Sequence, residues 1–226
     1  MKSIALVIVV MCSLAFCSQN CGEKEKFPDA VDFTFVIPLA IVPIQETFKI
    51  GDTLWLSANF PDTVWEFHSG KYFKAVNYSF PTRIGFFKLI SKEKYFSEQP
   101  GASASFKIVN KIGSADNFSS TFGDFKLQYE MNRYKCNIGI IPQQPGVFCV
   151  NFLSPEDADL SFIDLGVTQD GRKRIANHKE FFYVINEGAT NFNLFKENCI
   201  AVSINVPIVY NIYYEQKGTF TFKVVQ

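Results

Sequence analysis

The chain has 226 residues with 22 basic and 22 acidic side chains. That balance leaves no basic field of the kind nucleic-acid binding requires. Hydrophobic residues make up 47% of the chain and phenylalanine alone numbers 25. Such a composition excludes a disordered chain and suits packed β-sheet.

The N-terminus reads as an address. Met1-Lys2-Ser3 is followed by an apolar run from Ile4 to Phe16, one positive charge and a short apolar core, as in an export signal. Residues 1–20 are assigned to this signal. No later segment reaches about 18 uninterrupted apolar residues, the length a membrane-spanning helix needs. Leu14-Ala15-Phe16-Cys17 has the shape of a lipoprotein processing site, although Phe16 is large for its place. Cys21 has a poorer approach, Ser18-Gln19-Asn20, yet it leads into Gly22-Glu23-Lys24-Glu25-Lys26, a charged tether running to Asp29. Cys21 and Cys17 are both candidate lipidation sites. The expectation is a lipid anchor in the outer membrane; the alternative is a soluble secreted or periplasmic protein cleaved after Cys17.

The roughly 200 remaining residues suffice for one substantial core. Val31 to Ile37 alternates apolar and polar residues and predicts the first strand. Pro38 and Pro43 bracket the next segment, which reads as an edge strand or an irregular crossing. From Thr53 to Phe60, one predicted face carries Leu54, Leu56, Ala58 and Phe60, and the other Thr53, Trp55, Ser57 and Asn59. Thr63–Phe67, Lys71–Val76, Arg83–Ile90, Ser105–Asn110 and Phe122–Glu130 predict further strands, with Trp65 on the core side. Tyr134 to Phe152 reads as a hairpin about Pro142 and Pro145, with Ile140 opposite Phe148 and Cys136 opposite Phe152. That register turns Cys136 inward and Cys149 outward. Ser154-Pro155 is a helix start signal. Phe192–Ala201 is ambiguous between helix and strand, and Thr219–Val225 is a closing strand. Short strands punctuated by turn residues indicate a sandwich or barrel. The expected fold is a mainly β, antiparallel, immunoglobulin-like sandwich over residues 30–226. Within it, 155–205 forms an insertion or a short mixed α/β covering layer.

Beyond the signal and tether, Cys136, Cys149 and Cys199 remain. The outward Cys149 favours a Cys149–Cys199 bridge over a Cys136–Cys149 one; the alternative is three buried, reduced thiols. No Cys/His spacing suits a metal, and no cofactor motif is present. The two histidines, His68 and His178, fall in predicted loops without a nucleophile motif around them. Trp55 is the residue to single out for binding, because it stands among Thr53 and Ser57 on a polar face. An indole so placed can stack on a sugar ring or a partner.

Phe48-Lys49-Ile50-Gly51-Asp52-Thr53-Leu54-Trp55-Leu56 resembles the entry to the second strand of bacterial immunoglobulin-like domains. With the export signal and the Cys21–Asp29 tether, the layout resembles uncharacterised envelope lipoproteins of Bacteroidota. The resemblance implies an outer-membrane location and carries no activity. The function expected is that of a non-catalytic binding, adhesive or assembly component with an unidentified protein or glycan partner. The alternative is a secreted hydrolase using carboxylates or a histidine.

Overall fold

The computed structural model describes residues 27–154, 163–200 and 211–226, apart from the side chains of residues 177–179 and 214. The strands are β1 (Asp29–Val42), β2 (Thr47–Lys49), β3 (Leu54–Pro61), β4 (Thr63–Glu66), β5 (Lys71–Lys74), β6 (Thr82–Lys88) and β7 (Phe106–Ile112). There follow β8 (Ser114–Asp116), β9 (Phe122–Lys126), β10 (Gln128–Glu130), β11 (Arg133–Pro142), β12 (Gly146–Leu153), β13 (Arg174–Ile185) and β14 (Thr219–Val225). Among the described residues one α-helix, α1, spans Phe192–Asn198. The described residues are therefore mainly β, in two sheets. An eight-stranded sheet has the order β10-β11-β3-β1-β4-β5, with β13 on β1 and β7 on β11; a six-stranded sheet runs β2-β14-β12-β6-β9-β8. The pairings with a defined register are antiparallel except β2 with β14.

Two compact units divide the chain: Asp32–Ile163 with Ala176–Gln226, and Met1–Val31 with Asp164–Ile175. In the smaller unit Asp29 faces Arg172 at 3.7 Å and Arg174 at 3.5 Å.

The larger unit is a sandwich closed by phenylalanine. Phe106 of the eight-stranded sheet meets Phe148, Phe86 and Phe222 of the other, at centroid distances of 5.0, 4.8 and 6.0 Å. Tyr183 of β13 lies 5.2 Å from Phe152 of β12 and hydrogen-bonds the Thr82 hydroxyl. Aromatic pairs at such distances, edge-on for Phe106 with Phe148 and Phe222 and tilted for Phe106 with Phe86 and for Tyr183 with Phe152, add about 0.5–1.5 kcal/mol per pair beyond burial.

Several expectations are corrected here. Residues 134–152 are not a hairpin. β11 pairs with β3 and β7 in one sheet, whereas β12 pairs with β6 and β14 in the other. Pro142 and Pro145 lack the N–H a hairpin ladder needs, and the chain arches from one sheet to the next. The face assignment survives this change, since Tyr134, Cys136, Ile138, Ile140, Phe148, Val150 and Phe152 are all buried. They belong to two different sheets instead of lying side by side in one.

β1 continues through Pro38 as a central strand. Its Phe35 and Val36 pair with β4 and its Ala40–Val42 with β3, so the proline falls where the partner changes. The Phe122–Glu130 segment splits into β9 and β10, which join different sheets. Trp65 faces outward, 37% exposed, while Val64 and Glu66 point inward. The Ile50-Gly51-Asp52 turn forms because Gly51 takes φ +89° and the Asp52 carboxylate accepts the Lys49 N–H at 2.7 Å. The helix start predicted at Ser154-Pro155 lies outside the described residues from 155 on.

Cys136, Cys149 and Cys199 are free, buried thiols, so the expected Cys149–Cys199 bridge is not formed. Cys149 does leave the inter-sheet core, but it is not exposed. Helix α1 covers that face of β12, and Cys149 and Cys199 share an apolar cluster with Phe87, Leu89, Phe96 and Phe195. The Cys199 sulfur lies 3.5 Å from the Lys94 carbonyl and 3.3 Å from its neighbour's. Burial pushes the Cys199 thiol up to about 11 and Cys136 to about 12, and raises Cys149 as well. Burial therefore favours the protonated thiol over the reactive thiolate at all three.

Candidate functional site

The polar face predicted for β3 is present and is continued by its neighbours. Trp55 stands opposite Gly139, Ser57 opposite Asn137, and Asn59 opposite Lys135 on β11. Side chains at matched positions in an antiparallel pair project to one side, so these six positions form a continuous outward surface. Beneath it Leu54, Leu56, Cys136, Ile138 and Ile140 anchor both strands in the core. The surface is thus held by a rigid support.

A bulge adds the remaining member. Along β7, Ile112 pairs with Asn137 and Asn110 with Ile138, leaving Lys111 as an extra residue between them. An extra residue breaks the strict alternation and re-aims its side chain. Lys111 swings over β11, and its Nζ sits 3.9 Å from the Trp55 ring centroid. Such a cation–π contact contributes about 0.5–1 kcal/mol at an accessible site. Gly139 supports the opposite side of the arrangement. A Cβ there would lie 3.2 Å from Trp55 Cζ3 and 3.3 Å from Cη2, so the bare backbone is what lets the indole lie against the strand.

Together these residues line an open groove of about 530 Å³ that contains Trp55, Ser57, Asn59, Lys111, Lys135 and Asn137, with Ala58, Ile112 and Cys136 completing it. Its lining includes two ammonium groups and no carboxylate. Lys135 pairs at 2.8 Å with Glu130, just beyond the lining. Arg133 donates from Nε to the Asn59 side-chain oxygen at 2.6 Å and from Nη2 to the Asn59 carbonyl at 2.9 Å. Lys111 has no carboxylate partner among the described residues.

The histidine-containing turn has a different character. Glu66 is buried, and its Oε1 accepts the N–H groups of Thr34 at 3.0 Å and His68 at 2.9 Å. Oε2 accepts the Ser69 N–H at 2.6 Å. Burial alone would raise this carboxyl's pKa; hydrogen bonds from the Ser69 side chain and from the Thr34, His68 and Ser69 backbone outweigh it and hold the group below the ordinary value. The His68 Nε2 lies 3.1 Å from the Thr34 hydroxyl. Glu66 here closes the β4–β5 turn through backbone amides, which is a structural role and not that of the acid in a nucleophile relay. The side chain of His178 lies outside the described residues, as do Cys17 and Cys21. No group of three or more His, Cys, Asp or Glu residues gathers to hold a metal among the described residues.

The position of Trp55 on the polar face of β3 was legible in the sequence. Ser57, Asn59, Lys135 and Asn137 followed from alternation once β3 and β11 were paired. Lys111 had no sequence signal, because a bulge is invisible to a period-two reading.

No protein-family model and no curated protein matches the chain. Among solved structures it is similar to the type II cohesin dyad from the adaptor ScaA scaffoldin of Acetivibrio cellulolyticus, at 12% identity and a TM-score of 0.26. The likeness covers 66% of this chain and 46% of that one, less than half of its length. A likeness of that size assigns neither ligand nor partner.

Proposed function

We propose that the protein is a non-catalytic binding component of the cell envelope, and that its ligand docks on the sheet face centred on Trp55. One observation carries the reading: an indole laid against Gly139, flanked by amide and hydroxyl side chains and capped by Lys111, forms an open groove on a rigid sheet. An open surface with an aromatic anchor and few apolar pockets suits reversible recognition. Catalysis calls for an enclosed cleft with converging titratable groups, whereas this groove is open and its lining holds neither a carboxylate nor a histidine.

The proposed anchor is the lipidated N-terminus at Cys21 or Cys17, supported by the Met1–Phe16 segment and the charged tether. It would hold the sandwich at the outer-membrane surface with the groove free to meet a glycan or protein.

The test is a glycan and peptide array probed with the wild type and with Trp55→Ala. The expected outcome is a retained ligand lost on Trp55→Ala while the thermal unfolding midpoint stays within a few degrees. Binding that survives Trp55→Ala would overturn the assignment of this face.

A further inference from the structure

The strands around Trp55 restrict what can bind there. β3 is hydrogen-bonded on both sides, to β1 and β11, and β11 is bonded to β3 and β7. Around Trp55 and Ser57 both sides of β3 are thus occupied, which disfavours strand addition of an extended peptide at the indole. The groove also offers little to an apolar peptide anchor. Ile112 is the one aliphatic side chain of any size in the lining, and it is 36% exposed. What remains is a flat indole, the hydroxyl of Ser57, the amides of Asn59 and Asn137, and the ammonium groups of Lys111 and Lys135.

Charge narrows the choice further. Of Lys111, Lys135 and Arg133, Lys135 alone has a carboxylate partner among the described residues, Glu130 at 2.8 Å, while Arg133 is held by Asn59. Lys111 rests on the indole face, a weak hold in place of a counter-ion. A carboxylate arriving in the groove can draw that ammonium into a charge-assisted hydrogen bond, which is stronger. The same movement uncovers the indole for a sugar ring. Amides and a hydroxyl at the ring's margin match the alternating hydroxyls of a saccharide.

We propose that the groove binds an acidic saccharide, a glycan chain carrying uronic-acid carboxylates, with Lys111 as the carboxylate contact and Trp55 as the stacking platform. This rests on the assignment of the Trp55 face as the binding surface. It adds the chemical class of the ligand.

The chain holds two tryptophans, Trp55 and Trp65, so Trp65→Phe leaves Trp55 as the sole indole reporter. A short oligogalacturonate is titrated into this variant, alongside a neutral cello-oligosaccharide of equal length and poly-L-glutamate, with calorimetry on the wild type in parallel. The expected result is a saturable change in Trp55 emission with oligogalacturonate. Its affinity should exceed that of the neutral sugar by about tenfold, fall about tenfold in Lys111→Gln, and weaken with added salt. Equal or tighter Trp55-dependent binding of the neutral sugar or of poly-L-glutamate would overturn the acidic-saccharide assignment and leave the Trp55 face standing. Absence of oligogalacturonate binding would overturn the same assignment. Oligogalacturonate binding that leaves Trp55 emission unchanged and survives Trp55→Ala would overturn both.

Discussion

At the scale of single residues, the geometry around Trp55 depends on what is missing at position 139. A methyl group at Gly139 would press on two indole carbons and on Thr53 Cγ2, each at 3.2–3.3 Å. Those atoms belong to side chains, so the neighbours can give way. Gly139→Ala should therefore change stability by under about 1 kcal/mol. It should nevertheless displace the indole, shift Trp55 emission in the Trp65→Phe background, and weaken ligand retention. Fluorescence and equilibrium unfolding on one sample check both parts. Glu66 gives the opposite outcome, a residue that matters to the fold and not to binding. Its folded pKa lies below the ordinary carboxylate value of 4.5. The stability it supplies is then fully present above the unfolded pKa and is lost as pH falls below that value through the folded one. Urea midpoints measured from neutral pH to about pH 3 should fall more steeply in the wild type than in Glu66→Gln, which has no carboxyl to protonate. Glu66→Ala strands buried amide donors and should cost about 3 kcal/mol at neutral pH.

Two features matter at the scale of elements, the turn that sets up the β7 bulge and the helix that covers β12. Gly113 links β7 to β8 with φ +69°, and a Cβ there would lie 2.5 Å from the Lys126 carbonyl oxygen. Backbone cannot yield as a side chain does. Gly113→Ala should cost about 2–3 kcal/mol and disturb Lys111 nearby, read as lowered stability together with altered Trp55 emission. On the other sheet, α1 places wholly buried Phe195 5.4 Å from Phe96, over the cluster that holds Cys149 and Cys199. Phe195→Ala removes this cover at a cost of about 3–5 kcal/mol. A thiol-exchange assay should then find Cys199 and Cys149 reacting well before Cys136, which lies within the other sheet beside the Leu56 carbonyl at 3.9 Å. Simultaneous reaction of all three would show that α1 and the sandwich open as one unit.

For the whole molecule, the proposed envelope anchor makes a direct prediction. The mature protein recovered from its native membrane fraction should begin at Cys21 or Cys17 and carry acyl mass. Intact mass spectrometry checks this, and an unmodified N-terminus in the soluble fraction would contradict it. Alternation alone was enough to mark the buried faces of three strands: Leu54/Leu56/Phe60 on β3, Tyr134/Cys136/Ile138/Ile140 on β11, and Phe148/Val150/Phe152 on β12 are all buried as their spacing requires. Trp55 on the polar side of β3 was legible for the same reason, since a side-chain period of two is a property of one strand. Which strands pair is not such a property. Hydrogen bonding between β11 and β3, the arch that sends β12 to the other sheet, and the exposure of Trp65 come from contacts among segments far apart in the chain. The same holds for the bulge that brings Lys111 over Trp55 and for the helix that leaves Cys149 buried. Local backbone sterics and polarity determine the strands and their faces; the binding groove exists only once distant strands have found their register, because its members are neighbours across the sheet and not along the chain.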